Sequence, residues 1–416
     1  MSDTNRPSIL YVASRFPNVP ETFVVNEWWL MASRFRMEFA SLVRMSETTL
    51  HPQTAALLPQ VHFAGVLALP TLRANARAFA RQPGRYLRTA WRVLAGSLRR
   101  PNGGVIKGAV AFWKGVRFAE IVREREISHI HAHFISHSAT TAWVMSELTG
   151  VPFSITAHAN DLYVRPALLG EKLREAAFIA TISEFNRDFI RTECGGGRKV
   201  ELVHCGVDTE LFAFRKRDTY RRLVCVARLE STKGQVDLLH AFAQARQGEP
   251  ELTLDLIGDG ADRERLEHLR DELGLDEALR FHGPLRTDQV RAALEEADVF
   301  VLPSVRHPSG RMDGIPVALM EAMASGLAVI ATRLSGIPEL VIHQQTGLLV
   351  TPESPGELAT AISQLVHDPE LASRLARAGR ERVRDQFDLR TEGNRLAALF
   401  DATLSGERSR GEALRW

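Results

Sequence analysis

Two carboxylic acids, Asp313 and Glu321, bracket the start of a short helical segment in SVRHPSGRMDGIPVALMEAMASGLAVIATRLSGIPE, which runs from Ser304 to Glu339. Pro316 suits a helix start, because the N–H it lacks would be unpaired there, and Gly326 suits the end. A helix start exposes free N–H groups and the positive end of the dipole, so it suits a phosphate. One acid before that start and one about a turn and a half inside it would flank a bound nucleotide-sugar, one at each end. Earlier in the chain, VARLESTKG (Val226–Gly234) follows a strand-like run and places Arg228 and Lys233 at the next helix start. Two cations there would neutralise a diphosphate leaving group, each charge-assisted hydrogen bond being worth about 1.5–3 kcal/mol. TAHANDLY (Thr156–Tyr163) closes another apolar run. His158 would leave that strand end as an imidazole able to donate to a sugar hydroxyl while neutral. Asp161 would either bond an acceptor hydroxyl or cap the next helix. Taken singly, each segment is also what an ordinary α/β surface carries; their co-occurrence favours chemistry.

The elements that must position these residues are short apolar runs alternating with helix-period segments, the pattern of parallel sheets with crossover helices. Strands are expected at Ser8–Ala13, Met37–Val43, Val61–Leu67, Ser128–His133, Phe153–Ala157, Phe178–Ile182 and Val200–His204 in the first half. In the second half they are expected at Leu223–Ala227, Leu252–Ile257, Leu279–His282, Val299–Leu302, Ala328–Ala331 and Gly347–Val350. Helices fall between them, for example Gly234–Ala245 and Asp262–Leu273. The charged, aperiodic stretch FAFRKRDTYRR, Phe212–Arg222, marks the break. The expected domains are 1–212, 213–386, and a C-terminal piece, 387–416, with a helix at Leu389–Leu404. Ligands of such doubly wound sheets bind at the carboxyl ends of the strands.

At 416 residues the chain exceeds one core, which rarely grows past about 250–300 residues. With 45% hydrophobic and 25% charged residues, disorder is excluded as the main state. A net charge of +2 gives no reason to expect a nucleic acid partner. Cys194, Cys205 and Cys225 lack metal-type spacing and fit a reducing cytosol. The N-terminus has no signal-peptide pattern, and no apolar run reaches the roughly 18 residues of a membrane span. The expected location is the cytoplasm. His131 and His133 in HIHAHF alternate along a strand and share a face, but with no third ligand nearby a structural role is expected. No Asp-x-Asp pair occurs, so no metal-diphosphate site and no metal or other cofactor is expected. IGDG, Ile257–Gly260, has Arg263 where a dinucleotide fingerprint needs its third glycine. It therefore reads as a tight turn beside the nucleotide site rather than as an NAD motif. GGG at Gly195–Gly197 lacks the Lys-Ser/Thr of a P-loop.

The spacing of Asp313 and Glu321, with VARLESTKG and the THAND segment, resembles retaining glycosyltransferases of the GT-B fold, the family 4 or group 1 type. The ETF run at Glu21–Phe23 resembles bacterial exopolysaccharide and colanic-acid-type members. The resemblance covers nearly the whole chain and is loosest over 45–125. It implies two Rossmann-like domains facing a cleft, with the last helix crossing back onto the first domain. It also implies a reaction: transfer of a hexose from a nucleoside diphosphate sugar to a glycan or lipid-linked acceptor, with retention. The matching Arg228 and Lys233 would hold the phosphates with the helix start at Pro316. Glu321 would bond the ribose. Asp313, with the N–H groups of Gly314 and Ile315, would bond sugar hydroxyls. His158 would face the anomeric centre, and Thr22, at a helix start, the donor. The leaving phosphate itself would assist the acceptor. The family usually carries Glu where this chain has Asp313, one methylene shorter. A GT-B phosphorylase or epimerase would share the fold, and a non-catalytic membrane-bound scaffold would tolerate loss of Lys233 and Glu321.

From Thr71 to Ala119 there are eleven Lys or Arg and no Asp or Glu. Arg85, Arg88, Arg92 and Arg99 are expected on one helix face, and Leu87, Trp91, Leu94 and Leu98 on another. That pattern fits a helix lying on anionic lipid, on the inner face of the cytoplasmic membrane.

Overall fold

In a computed structural model the chain is described over residues 6–18, 22–46, 52–98, 104–164, 166–194 and 200–406. Glu21, Arg99 and Gly195–Gly197, and the side chain of Asp161, lie outside the described part. The chain forms two compact units, Met1–Val203 with Gly393–Trp416, and His204–Glu392.

Unit 1 is built on seven parallel strands, β1 (Ser8–Phe16), β2 (Arg36–Arg44), β3 (Val61–Phe63), β4 (His129–His133), β5 (Phe153–Ala157), β6 (Ile179–Thr181) and β7 (Val200–Leu202). Their order is β3-β2-β1-β4-β5-β6-β7, so the chain reverses its direction of travel between β1 and β4. Successive strand side chains point to opposite faces. Leu10, Val12, Ile130 and Ala132 pack on one side, against the helices Gly104–Glu124 and His137–Thr149. Ile9, Tyr11 and Ala13 pack on the other, against the helix Thr22–Met31. The last helix, Leu389–Leu404, ends on that second face, where Leu396, Ala397 and Phe400 are buried.

Unit 2 has six parallel strands, β8 (Arg222–Val226), β9 (Thr253–Ile257), β10 (Leu279–Gly283), β11 (Val299–Leu302), β12 (Ala328–Thr332) and β13 (Leu348–Val350). The order β10-β9-β8-β11-β12-β13 puts the reversal between β8 and β11. β11 and β12 are buried along their whole length, as strands covered on both faces must be, and so read as continuous apolar runs. A buried guanidinium ties helix ends together beneath this sheet. Arg217 donates to the carbonyls of Leu294, Ala297 and Gly326, in the last turn of the helix Thr287–Glu296 and just past the ends of that helix and of Val317–Ala324, where a cation is favoured.

Every strand marked by the sequence is present. The largest difference is in β3, expected to reach Leu67 but ending at Phe63, where Ala64-Gly65 leads into the helix Leu69–Arg81 with Pro70 in its first turn.

Candidate active site

In unit 2 the candidate residues converge at the carboxyl ends of β8 and β11, the reversal point where open α/β sheets bind ligands. After β8 the chain runs through Arg228 and a single helical turn, Ser231–Lys233, to Gly234, which precedes the helix Gln235–Arg246. Gly234 has φ +68°, and a Cβ on it would lie 1.9 Å from the Pro303 carbonyl oxygen. Only glycine permits that approach, and the approach brings Lys233 to the loop after β11. Val305 N–H donates to the Thr232 carbonyl at 2.9 Å and seals the two loops together.

Lys233 Nζ lies 2.5 Å from Asp313 Oδ1, and Ser304 Oγ donates to Asp313 Oδ2 at 2.5 Å. Both members of the ion pair are mostly shielded from solvent, at 14% and 17% exposure. Ser335 Oγ donates to the carbonyls of Asp313 and Gly314 and fixes the turn that presents the acid. Pro316 is the residue just before the helix Val317–Ala324 rather than its first member; its carbonyl accepts from the Leu319 N–H. The first N–H groups of this helix have no intrahelical partner, and Ile315 closes the turn beneath them, 5% exposed. Glu321 is the fifth residue of that helix, and burial pushes its carboxyl up to about 7. Arg228 is half-exposed and pairs with Glu230 at 2.8 Å, while its carbonyl accepts from Gln235 Nε2. IGDG crosses beneath this loop: Leu229 N–H donates to the Asp259 carbonyl, and a Cβ on Gly258 would lie 2.0 Å from the Ala227 carbonyl oxygen.

In unit 1, His158 ends β5 and is buried among Phe23, Phe134 and His133, with ring centroids at 5.0, 4.5 and 5.7 Å. Phe23 adjoins Thr22, so the start of the helix Thr22–Met31 lies beside this histidine. Burial, reinforced by His133, holds the His158 pKa well below its ordinary value. His133 Nδ1 is 3.4 Å from His158 Nε2. His133 Nε2 is 3.1 Å from Glu27 Oε1, within reach but not aligned for a hydrogen bond, and Tyr11 OH donates to the same oxygen at 2.7 Å. The expectation that no third ligand lies near His131 and His133 is therefore corrected. Glu27 brings one, with donor atoms within 4.8 Å of one another. The helix Thr22–Met31 folds a carboxylate over the strand, which strand periodicity cannot show. His131 is already satisfied, however: its nitrogens face Ser154 Oγ at 2.8 Å and Thr156 Oγ1 at 2.9 Å. Glu27, Ser304 and Ser335 were not singled out by the sequence. The one available signal was Glu27, the single acid in the mostly apolar helix TFVVNEWWLM.

A family profile for glycosyl transferases group 1 matches residues 207–382, and one for glycosyltransferase family 4 matches residues 66–211. Between them the two profiles run over most of the chain. The chain belongs to the family 4, group 1 glycosyltransferases. This glycosyltransferase is 38% identical over 210 residues to the putative colanic acid biosynthesis glycosyltransferase WcaL of Escherichia coli (strain K12), spanning 49% of this chain and 51% of that protein. It is 29% identical over 314 residues to a glycogen synthase of Mycobacterium tuberculosis (strain ATCC 25618 / H37Rv), spanning 71% and 74%. The chain thus spans about half the length of the colanic-acid relative it matches. Among solved structures, Anabaena Alr3699/HepE in complex with UDP and glucose superposes with a TM-score of 0.69 at 18% identity, covering 95% of this chain and all of that one. Sucrose-phosphate synthase from Thermosynechococcus elongatus gives 0.72 at 20% identity, covering 96% of this chain and 100% of its own. The fold of this glycosyltransferase is accordingly GT-B, two Rossmann-like domains.

The basic segment needs one correction. Arg92 does not share a free face with Arg85 and Arg88. It turns inward, lies over the Trp143 ring at 4.5 Å and pairs with Glu147 and Glu175. Those acids lie far away in sequence, so the local charge count could not reveal them.

Proposed function

We propose that this glycosyltransferase moves a hexose from a nucleoside diphosphate sugar to a hydroxyl of a glycan or lipid-linked acceptor in bacterial surface or exopolysaccharide synthesis, with the anomeric configuration retained. The observation that carries the reading is the Lys233–Asp313 pair at the reversal point of the unit 2 sheet, beside a helix start. A lysine ammonium is a mobile point charge on a flexible stem. Asp313 anchors it, and two of its three donor positions remain for phosphate oxygens. When the bond from the sugar's anomeric carbon to the diphosphate breaks, the electron pair goes to the diphosphate oxygen. Lys233, Arg228 and the N–H groups around Gly314, Ile315 and Pro316 stabilise the charge that develops there. Asp313 keeps lone pairs beyond its bonds to Lys233 and Ser304, and these accept sugar hydroxyls. Glu321 accepts from the ribose, which offsets the desolvation of its carboxyl. His158 meets the sugar near the reacting carbon, with Thr22 beside it. No metal is assigned to the reaction.

Because HepE was solved with UDP and glucose, UDP sugars are the first donors to test, with GDP and ADP sugars next. A donor at 100 times its dissociation constant raises stability by about 2.7 kcal/mol, which thermal unfolding detects. Turnover then requires an added acceptor and releases nucleoside diphosphate. A phosphorylase would instead release sugar phosphate, an epimerase would need no acceptor, and a scaffold would show no shift with any of these ligands.

A second reading concerns place. Among the described residues no helix is long and apolar enough to cross a membrane. The helix Pro83–Leu98 is instead inverted: it buries Thr89, Val93 and Ser97 and exposes Leu87 (55%), Trp91 (65%) and Leu98 (63%). Exposed Leu72 and Phe79 continue the apolar surface on the neighbouring helix, amid Arg73, Arg77 and Arg81. An apolar stripe within a segment that has no acid fits a surface of anionic lipid headgroups. Sedimentation with anionic vesicles at low salt is expected, and its loss in Trp91→Asp and in Arg85→Gln with Arg88→Gln. Equal binding to zwitterionic vesicles, or binding unchanged in these variants, overturns the reading.

A further inference from the structure

The buried polar groups behind His158 form a chain that the transfer reaction described above does not use. Tyr11 OH donates to Glu27 Oε1, Glu27 Oε1 faces His133 Nε2 at 3.1 Å, and His133 Nδ1 faces His158 Nε2 at 3.4 Å. His133 is 1% exposed and His158 5%. Four separate elements meet here, β1, β4, the end of β5 and the helix Thr22–Met31. Other groups hold the arrangement from outside. Buried Lys172 donates to the carbonyls of Ile135 and Ser136, and Ser138 Oγ donates to those of His133 and Phe134. The turn after β4 is thereby fixed, including Phe134 at φ +71°, whose ring packs on His158.

We propose that Glu27 and His133 are positioning residues for His158: they commit its Nε2 to His133 and leave Nδ1 as the only ring nitrogen that can meet a substrate hydroxyl. Two nitrogens that face each other share a single hydrogen. A carboxylate only accepts hydrogen bonds, so the His133 nitrogen facing Glu27 carries a hydrogen. A neutral His133 then has only a lone pair at Nδ1, and the shared hydrogen sits on His158 Nε2. His158 Nδ1 is left as an acceptor. The histidine thus takes a hydrogen bond from a sugar hydroxyl rather than giving one. Which nitrogen carries the proton is set by the partner of the other nitrogen, a general property of imidazoles. The misaligned His133 Nε2 needs only a ring turn to pair with Glu27. The cluster is better suited to orientation than to a metal, since a metal bound to His131 would have to displace one of its two hydroxyl contacts.

This inference rests on the proposed contact between His158 and the sugar, and a double-mutant cycle separates the two. His158→Ala, His133→Leu and the double variant are compared in kcat and in donor affinity, with thermal unfolding as a folding control. Residues in contact that act together are non-additive. His133→Leu is expected to lower kcat about tenfold or more while donor affinity stays within about twofold, and to add less than about twofold in the His158→Ala background. His133→Asn, whose Oδ1 can stand where Nδ1 stood, is expected to restore most of the loss. Where His133→Leu fails to fold, Glu27→Gln replaces it in the same cycle. Equal losses in both backgrounds, or an Asn variant as poor as the Leu variant, overturn the positioning role alone. Undiminished turnover in His158→Ala overturns the contact with the sugar and the positioning role with it.

Discussion

Lys233 Nζ and Asp313 Oδ1 are held 2.5 Å apart although 80 residues separate them in sequence. Each belongs to a loop leaving a different strand, and the two strands are neighbours only because the sheet reverses direction between them. The pair is a consequence of topology. Lys233→Ala is expected to lower kcat/KM for nucleoside diphosphate release by about 10- to 100-fold, the range of one lost charge-assisted bond. Asp313→Asn, which keeps the shape and removes the charge, is expected to fall in the same range. The double variant should lose less than the product of the two. Full activity in Lys233→Ala would remove the site assignment.

Gly234 makes that meeting possible, and its substitution isolates the effect of loop position from that of charge. A Cβ would lie 1.9 Å from the Pro303 carbonyl oxygen, so Gly234→Ala must move one loop away from the other. Gly274 has a similar φ, +64°, with nothing near its missing Cβ. Gly274→Ala should therefore cost about 1 kcal/mol from backbone conformation alone and leave donor affinity intact. Gly234→Ala should cost more and weaken donor binding. Chemical denaturation and titration with a nucleotide sugar measure the two separately; equal behaviour of the two variants would refute the argument.

The strands were readable because those of a parallel sheet covered on both faces are compact apolar runs, and β11 and β12 are such runs. Arg228, Lys233, Asp313 and Glu321 could be picked out because their chemistry sits at strand ends and at a helix start, which leave local marks. What could not be read is what depends on long-range partners. Glu27 is a single acid within TFVVNEWWLM and gains meaning only when β4 places His133 against it. Arg92 looks like one more member of a basic stripe until Glu147 and Glu175 arrive from elsewhere in the unit. Ser335, which fixes the turn before Pro316, carries φ +45° and has no local signature.

Glu321 gives the donor site a pH dependence of definite sign. Burial raises its carboxyl from 4.5 to about 7, and the ionised form is the one that accepts ribose hydroxyls. About a tenth is ionised at pH 6 and about nine-tenths at pH 8, so affinity for a nucleotide sugar should rise about tenfold across that interval. A diphosphate esterified at both ends does not itself titrate there. Stability moves the other way: a carboxyl raised on folding stabilises least once it is ionised, so its cost appears as pH rises from 4.5 through about 7. Glu321→Gln should remove that cost, about 1–3 kcal/mol at pH 8 and nearly nothing at pH 4.5, and flatten the pH dependence of affinity. Isothermal titration and denaturant midpoints at several pH values check both; an affinity that does not change between pH 6 and pH 8 contradicts the assignment.

The histidines of unit 1 should make the protein acid-labile by a separate route. Burial lowers His129 to about 3, and His131 and His158 well below 6.5. The unfolded chain takes up protons near pH 6.5 that the folded one refuses. The stability tied to neutral imidazoles is therefore present above 6.5 and is lost as pH falls below it. Each such histidine costs about 1.4 kcal/mol per pH unit, so the three together cost about 4 kcal/mol per unit before any carboxylate contributes. Glu321 partly opposes this, since one proton is gained on folding over the same interval. A glutamine at 129 can still bond Ser154, which His129 Nε2 meets at 2.7 Å. His129→Gln is thus expected to keep the fold and remove about 1.4 kcal/mol per pH unit from the slope between pH 6.5 and pH 5. Urea midpoints across that interval read the slope directly, and a slope unchanged in His129→Gln would place the acid sensitivity elsewhere in the chain.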